Sequence, residues 1–276
     1  MPITADYHMH SSFSGDSDSP MEEMIIAGIN KGLSRICFTE HQDFDYPITD
    51  PDTTPEGMFE LNPDAYLYDL LKHKEKYADR ITVCFGVELG LQPQVSKMNA
   101  AFAKAHDYDF IIASSHVCHG RDPYYPPFYE GRTQEEAYLE YFESILENLK
   151  FYSNFDVYGH LDYVVRYGPK KDEGYNYEQY KPVLDAILQK LIDNGKGIEV
   201  NTGGLIRGIR DVNPCQGILH RYKELGGEII TVGSDAHVPG NVAYSFDKAA
   251  NVLSACGFRY YCTFEKRTPT FHKISE

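Results

Sequence analysis

The stretch DYHMH near the start of the chain places His8 and His10 two residues apart, with Asp6 two before them. Period-two spacing belongs to a β-strand, so three ionisable side chains are expected on one face of a short strand that should turn apolar groups inward. The same habit recurs downstream. His41 follows an apolar run in FTEH, Glu88 ends one in GVEL, and His116 follows one in SSH. His160 closes YGH, and Asp235 and His237 close GSDAH. Asp16, in the SGDSD segment just after the first strand, lies within reach. A cluster of imidazoles and carboxylates without a cation would be costly to desolvate and self-repelling, and a divalent metal removes both problems. Imidazole and carboxylate donors suit zinc, manganese or iron, and no cysteine belongs to the set. His73, His106, His220 and His272 lie on helix-like segments or near the C-terminus and are assigned to packing or surface. His119 lies beside the cluster in an aromatic loop.

The elements that must position these residues alternate. Strand-like runs occur at 3–8, 34–40, 81–89, 108–115, 155–161, 197–201 and 228–234, with a weaker one at 258–264. Between them lie amphipathic stretches such as PMEEMIIAGINKG, QEEAYLEYFESILENLK and EQYKPVLDAILQKLIDNG, several opened by proline or a polar cap and closed by glycine. Strand then helix, about seven times over, predicts a parallel sheet with crossover helices, closed into a barrel since no Gly-rich dinucleotide fingerprint is present. All the metal-type residues then fall at the C-terminal ends of the strands, where such barrels carry their sites. No linker or composition shift divides the 276 residues, so a single domain over 1–276 is expected.

Composition sets the bounds. There are 26 basic and 41 acidic residues, a formal charge of −15, which disfavours a nucleic-acid surface but allows a small phosphorylated substrate in a metal-lined pocket. No apolar run approaches a membrane span, no secretory leader is evident, and the six cysteines form no CxxC pair, so the cytoplasm is the expected compartment. Two long connections, 42–61 and 117–132, follow strands and are read as lids that select the substrate; the first is acidic and the second aromatic. Arg166 and Arg207 each follow a barrel strand, in GHLDYVVRYG and NTGGLIRG, and their forks suit phosphate oxygens; Arg210 competes with Arg207.

From DYHMH to GSDAH the pattern resembles the PHP (polymerase and histidinol phosphatase) family, with a suitable residue at every motif position. The resemblance implies a distorted (β/α)7 TIM-like barrel holding two to three divalent metals (zinc, manganese or iron). By its pattern His8, His10, Glu88 and Asp235 would bind the first, and Glu88 would bridge to a second completed by His116 and His160. Asp16, His41 and His237 would hold the third, with Asp18 a near alternative to Asp16. Asp6 is expected to orient a ligand histidine. Glu88, Asp235 and His237, with Arg166 and Arg207, are the residues expected to carry catalysis. EHQDFDYP and NTGGLIRG resemble the stand-alone branch of the family that hydrolyses L-histidinol phosphate to L-histidinol and phosphate. In that branch a hydroxide bridging the metals attacks the phosphorus. Such a substrate carries an amine and an imidazole, which Asp43 and Asp45 could pair with while Tyr124, Tyr125, Phe128 or Tyr129 stack on the ring. Another small phosphate ester, a nucleotide or a sugar phosphate, would use the same metal ligands; a nuclease is disfavoured by the charge.

Overall fold

A computed structural model describes residues 3–48 and 54–274. Seven parallel strands run in sequential order: β1 (Ala5–Met9), β2 (Arg35–Gln42), β3 (Thr82–Gly90), β4 (Phe110–Ser114), β5 (Val157–Tyr158), β6 (Gly197–Asn201) and β7 (Ile230–Gly233). The sheet nearly closes on itself. Past the ends of β1 and β7, a parallel bridge joins Met9 to Ala236, with His10 N donating to Ala236 O at 2.9 Å and Asp235 N to His8 O at 2.8 Å. The strands are buried almost throughout, as a parallel sheet covered on both faces requires.

Helices α1 (Met21–Asn30), α2 (Pro63–Lys76), α3 (Ser96–Ala105), α4 (Gln134–Phe151), α5 (Tyr177–Asp193), α6 (Gly203–Ile206) and α7 (Gln216–Glu224) fill the crossovers, and α8 (Phe246–Ala255) follows the last barrel strand. Their boundaries follow local chemistry. Asn62 caps α2 through Ala65 N with Pro63 opening the helix, and α4 and α5 begin with reciprocal capping boxes, Thr133 with Glu136 and Asn176 with Gln179. No helix among the described residues is long and apolar enough to cross a membrane.

Two features depart from the sequence pattern. Residues 258–264 do not add to the barrel: β8 (Tyr260–Glu265) pairs antiparallel with β9 (Thr268–Lys273). This hairpin seals the N-terminal end of the barrel. Phe264 stacks 5.0 Å from Phe110 at the start of β4, and its carbonyl accepts the Tyr7 hydroxyl at 2.7 Å. Its two-residue turn is Lys266–Arg267, both left-handed at φ 49° and 62°, a conformation that asparagine and glycine favour. Asp109 holds the two turn amides, at 3.1 Å from Lys266 N through its side chain and 2.9 Å from Arg267 N through its carbonyl.

The second departure is in β1. Asp6 pairs with Ile36 but Met9 with Phe38, so three steps on β1 oppose two on β2. This bulge breaks the strict alternation that would put Asp6 beside His8. Asp6 instead takes Ser234 N at 2.9 Å, Ser234 Oγ at 2.5 Å and Ala243 N at 3.0 Å, and so ties β1 to the chain after β7.

Candidate metal centre and its cavity

Each strand end delivers one or two polar side chains to a single point. At its middle lies Glu88, fully buried, on the best-paired strand of the barrel. Its two oxygens divide the histidines. Oε2 lies 3.2 Å from His8 Nε2, 3.6 Å from His10 Nε2 and 3.1 Å from His41 Nδ1. Oε1 lies 3.2 Å from His116 Nε2 and 2.9 Å from His160 Nε2, and accepts the Ser114 hydroxyl at 2.6 Å. Asp235 Oδ1 is 3.5 Å from His10 Nε2 and 3.7 Å from His8 Nε2. Asp16 Oδ2 is 3.1 Å from His237 Nε2 and 3.6 Å from His41 Nε2, whereas Asp18 is exposed and lies outside the cavity lining. The nine residues named from the sequence therefore meet, in groups centred on Glu88, on Asp235 and on Asp16.

Other side chains aim the imidazoles. Glu199 of β6 sits 2.7 Å from His8 Nδ1, Ser14 Oγ 3.0 Å from His10 Nδ1, and Asp43 Oδ1 2.8 Å from His116 Nδ1. Buried Glu40 accepts the Ser14 hydroxyl at 2.6 Å and both donors of Ser11. With one nitrogen so engaged, each of these rings presents the other to the centre. Glu199, rather than Asp6, orients His8. Its signal in the sequence was a charged residue inside the apolar run GIEVN, and Glu40 in FTEH gives the same signal. Small residues make room: a Cβ at Gly233 would fall 2.2 Å from Glu199 Oε1 and 2.3 Å from His8 Cβ. Asp235 adopts a left-handed φ of 55°, which a short polar side chain tolerates and which the bond from its N–H to His8 O holds in place.

Electrostatics sharpen the picture. Burial resists a charge on His8, but Glu199, Glu88 and Asp235 outweigh it and draw its pKa well above the ordinary histidine value. His10 goes the other way, lowered by burial and by neighbouring His41 and His237. Burial would raise Glu88, yet His8, His116 and His41 hold its carboxyl well below the usual range. His8 Nε2, His10 Nε2, His41 Nδ1, His237 Nε2 and Glu88 Oε2 are all buried without a hydrogen bond. So many uncompensated polar atoms in one place would each cost about 1–3 kcal/mol. Divalent cations among them would supply the missing partner, and the donor set of imidazoles and carboxylates without a thiolate fits such ions.

Above the cluster opens a cavity of about 810 Å³. Both long connections line it, the first through Tyr46, Thr54, Met58 and Phe59 and the second through Asp122, Tyr124 and Tyr125; residues 49–53 of the first lie outside the described residues. The connections touch each other where the Tyr46 hydroxyl donates to Asp122 and where Thr54 Oγ1 meets the Tyr125 hydroxyl at 3.0 Å. Phe128 and Tyr129 are buried outside the cavity lining, with Arg132 over the Phe128 ring.

Arg166 is buried and gives Asp235 Oδ2 a 2.7 Å bond, Asn201 another of 2.7 Å and Asn213 one of 2.9 Å. Arg207 is exposed, lines the cavity and lies over the Tyr167 ring at 5.3 Å. Arg210 is turned away onto Asp172. The two acids expected to meet substrate differ in position, Asp43 lining the cavity and Asp45 lying outside it. Asp43 spends one oxygen on His116, and Asp45 is exposed outside the cavity, where it accepts from Gln94 at 2.9 Å. Asp122, which no feature of GRDPYYPP marked out, also lines the cavity, and burial pushes its pKa up to about 6. His119 lies outside the cluster, held between Glu140 and Glu147.

Known proteins resemble this chain in sequence and fold. The PHP domain model matches residues 6–203. A histidinol-phosphatase of Lactococcus lactis is 33% identical over 260 residues, which is 94% of this chain and 93% of the relative. A "probable histidinol-phosphatase" of Clostridium acetobutylicum is 30% identical over 265 residues, 95% of this chain and 97% of the relative. The crystal structure of the histidinol phosphate phosphatase of Lactococcus lactis, complexed with zinc, L-histidinol and phosphate, superposes with a TM-score of 0.85 at 31% identity, covering 97% of this chain and 98% of that one. With a family match over most of the chain and a cluster built from the motif residues, this chain belongs to the PHP domain family.

Proposed function

We propose that the chain is a metal-dependent phosphate monoester hydrolase acting on L-histidinol phosphate, releasing L-histidinol and phosphate. The observation that carries the reading is the Glu88-centred cluster at the floor of a cavity that also holds two arginines. The similarity to histidinol-phosphatases over nearly the full length supports the substrate.

Two to three divalent ions fit the donors. His8, His10, Glu88 and Asp235 form one set, Glu88, His116 and His160 a second, and Asp16, His41 and His237 a third. Zinc comes first because the Lactococcus lactis structure holds it, and manganese and iron suit the same donors. Bound there, such ions lower the pKa of water to about 7 and neutralise phosphoryl oxygens. The residues do the rest. Glu88 sets the spacing of the first two sets through its two oxygens. Arg166 fixes Asp235 and keeps N–H groups on both terminal nitrogens for a phosphate oxygen. Arg207, whose guanidinium makes no ion pair among the described residues, closes on the phosphate from the rim. The tyrosines of the second connection shield the site from water. We assign the whole chain, 1–276, to one such domain in the cytoplasm, where its six free thiols suit the reducing conditions.

The test is phosphate release from L-histidinol phosphate, nucleoside monophosphates, sugar phosphates and an aryl phosphate, with metal content determined on the same sample. A large kcat/KM preference for L-histidinol phosphate is expected. A preference for a nucleotide would keep the chemistry and overturn the substrate, and no release from any monoester by metal-loaded protein would overturn the hydrolase reading.

A further inference from the structure

We infer that Asp122 is the specificity-determining residue of the cavity, the anionic receptor for a positively charged group at the end of the substrate remote from its phosphate. The inference rests on the hydrolase reading above and adds the residue that selects among phosphate esters.

Four carboxylates line the cavity, and three are committed. Asp16 lies on His41 and His237, Asp43 on His116, and Asp235 on Arg166 and the histidines of the floor. Among the described residues Asp122 has no lysine, arginine or histidine nitrogen within ion-pair reach, yet it is 5% exposed. Its two oxygens are aimed by neutral donors, the Tyr46 hydroxyl on Oδ2 and Tyr124 N on Oδ1 at 2.7 Å. Each oxygen retains acceptor capacity. A buried carboxylate fixed by neutral partners and open to a cavity is stabilised by a cation entering beside it.

Its surroundings suit the same guest. Tyr124 and Tyr125 pack edge to face at 5.0 Å, line the cavity, and have no cation over their rings among the described residues, whereas Tyr163 and Tyr167 lie under Arg166 and Arg207. One part of the wall therefore carries guanidinium groups on tyrosines, and another carries a carboxylate among unoccupied tyrosine faces. A molecule with phosphate at one end and a protonated amine or imidazole at the other matches that polarity. The bond from Tyr46 also makes the receptor dependent on both long connections, since the first must lie over the cavity to orient the carboxylate of the second.

The experiment compares kcat/KM for L-histidinol phosphate with that for 3-phenylpropyl phosphate, a similar chain and ring without positive charge, in the metal-loaded enzyme. Asp122→Asn and Asp122→Ser remove the charge and keep an oxygen for Tyr46 and Tyr124, so either reports if the other fails to fold. The wild type is expected to favour the cationic ester, and that ratio is expected to fall about 10- to 100-fold in both variants, the weight of one charge-assisted bond. A merely structural role would lower both substrates alike and leave the ratio standing, which overturns the inference. A ratio that collapses in Asp43→Asn but survives in the Asp122 variants overturns it as well, by moving the receptor. Wild-type enzyme that hydrolyses neither ester overturns instead the hydrolase reading on which the inference stands.

Discussion

Glu88 cannot be replaced by a smaller neutral residue without consequences on both sides. Its Oε2 faces His8, His10 and His41 while Oε1 faces His116 and His160, so Glu88→Ala uncouples two ligand sets at once. We expect that variant to fold, to lose bound metal, and to lose more than about 1,000-fold in kcat/KM, since several kcal/mol of charge stabilisation go with it. Metal analysis beside steady-state kinetics checks this, and full turnover with intact metal content would refute it. Glu199 is a gentler case because it reaches the rear nitrogen of His8, the backbone of His160 and the Asn201 amide, and none of the other ligand side chains. Glu199→Ala should weaken metal binding by about 10- to 100-fold, as loss of an orienting carboxylate commonly does. Competition with a chelator of known affinity measures it. Arg207→Ala should raise KM for a phosphate ester by about tenfold without altering metal content, because its guanidinium is stacked on Tyr167 rather than tied to a ligand. Unchanged kinetics would return Arg207 to the surface.

At the level of elements, the two ends of the barrel differ in what they carry. The site sits where the strands end, and the β8–β9 hairpin sits where they begin. Phe264 is 3% exposed and meets Phe110, whose ring in turn lies 5.2 Å from Tyr7. Phe264→Ala opens a cavity beneath the barrel and should cost about 3–5 kcal/mol, read from the shift in denaturant midpoint. Per bound metal, the activity of the folded fraction should change little. A loss below about 1 kcal/mol would mean that the hairpin merely covers the barrel. Why the hairpin escaped notice is physical. TPTFHK contains a proline, and a turn of lysine and arginine with both φ positive has no sequence signal of its own. The carbonyl and carboxylate of Asp109 impose it from outside. α3, which closes a crossover, and α8, which leads from β7 to the hairpin, were likewise not picked out among the amphipathic stretches.

For the whole molecule the cluster is a stability device as well as a catalyst. Its carboxylates and imidazoles come from strands spread over more than 200 residues, from His8 to His237, so an ion held among them can bind the folded chain only. Metal at about 100 times its dissociation constant stabilises by about 2.7 kcal/mol. In a chain of this size that corresponds to roughly 5–10 °C in Tm. Thermal unfolding before and after chelation, then with zinc restored, should show a reversible shift of that order. An unchanged Tm would indicate that the buried histidines are compensated without metal. The formal charge of −15 gives the location of this centre added weight, since cations and arginines at one mouth create a local site for phosphate on an otherwise acidic protein.

What the sequence determined by itself was periodic and local. Apolar runs alternating with amphipathic ones specify a parallel barrel, and polar residues at the ends of those runs must converge once it closes, so His8, His10, His41, Glu88, His116, His160, Asp235 and His237 were legible as one group. Choices among close alternatives were decided by the tertiary structure. Asp16 and not Asp18 lies against the histidines, Arg207 lines the cavity while Arg210 turns to Asp172, and Glu199 and Asp122, which the sequence reading did not single out, reach His8 and the cavity; each placement depends on which side chain faces which neighbour. That orientation turns on a bulge in β1, a tyrosine reaching between two loops, and a register closed across more than two hundred residues. Spacing along a chain encodes which face a residue takes in a regular element, whereas a contact between distant segments exists only after the barrel has closed.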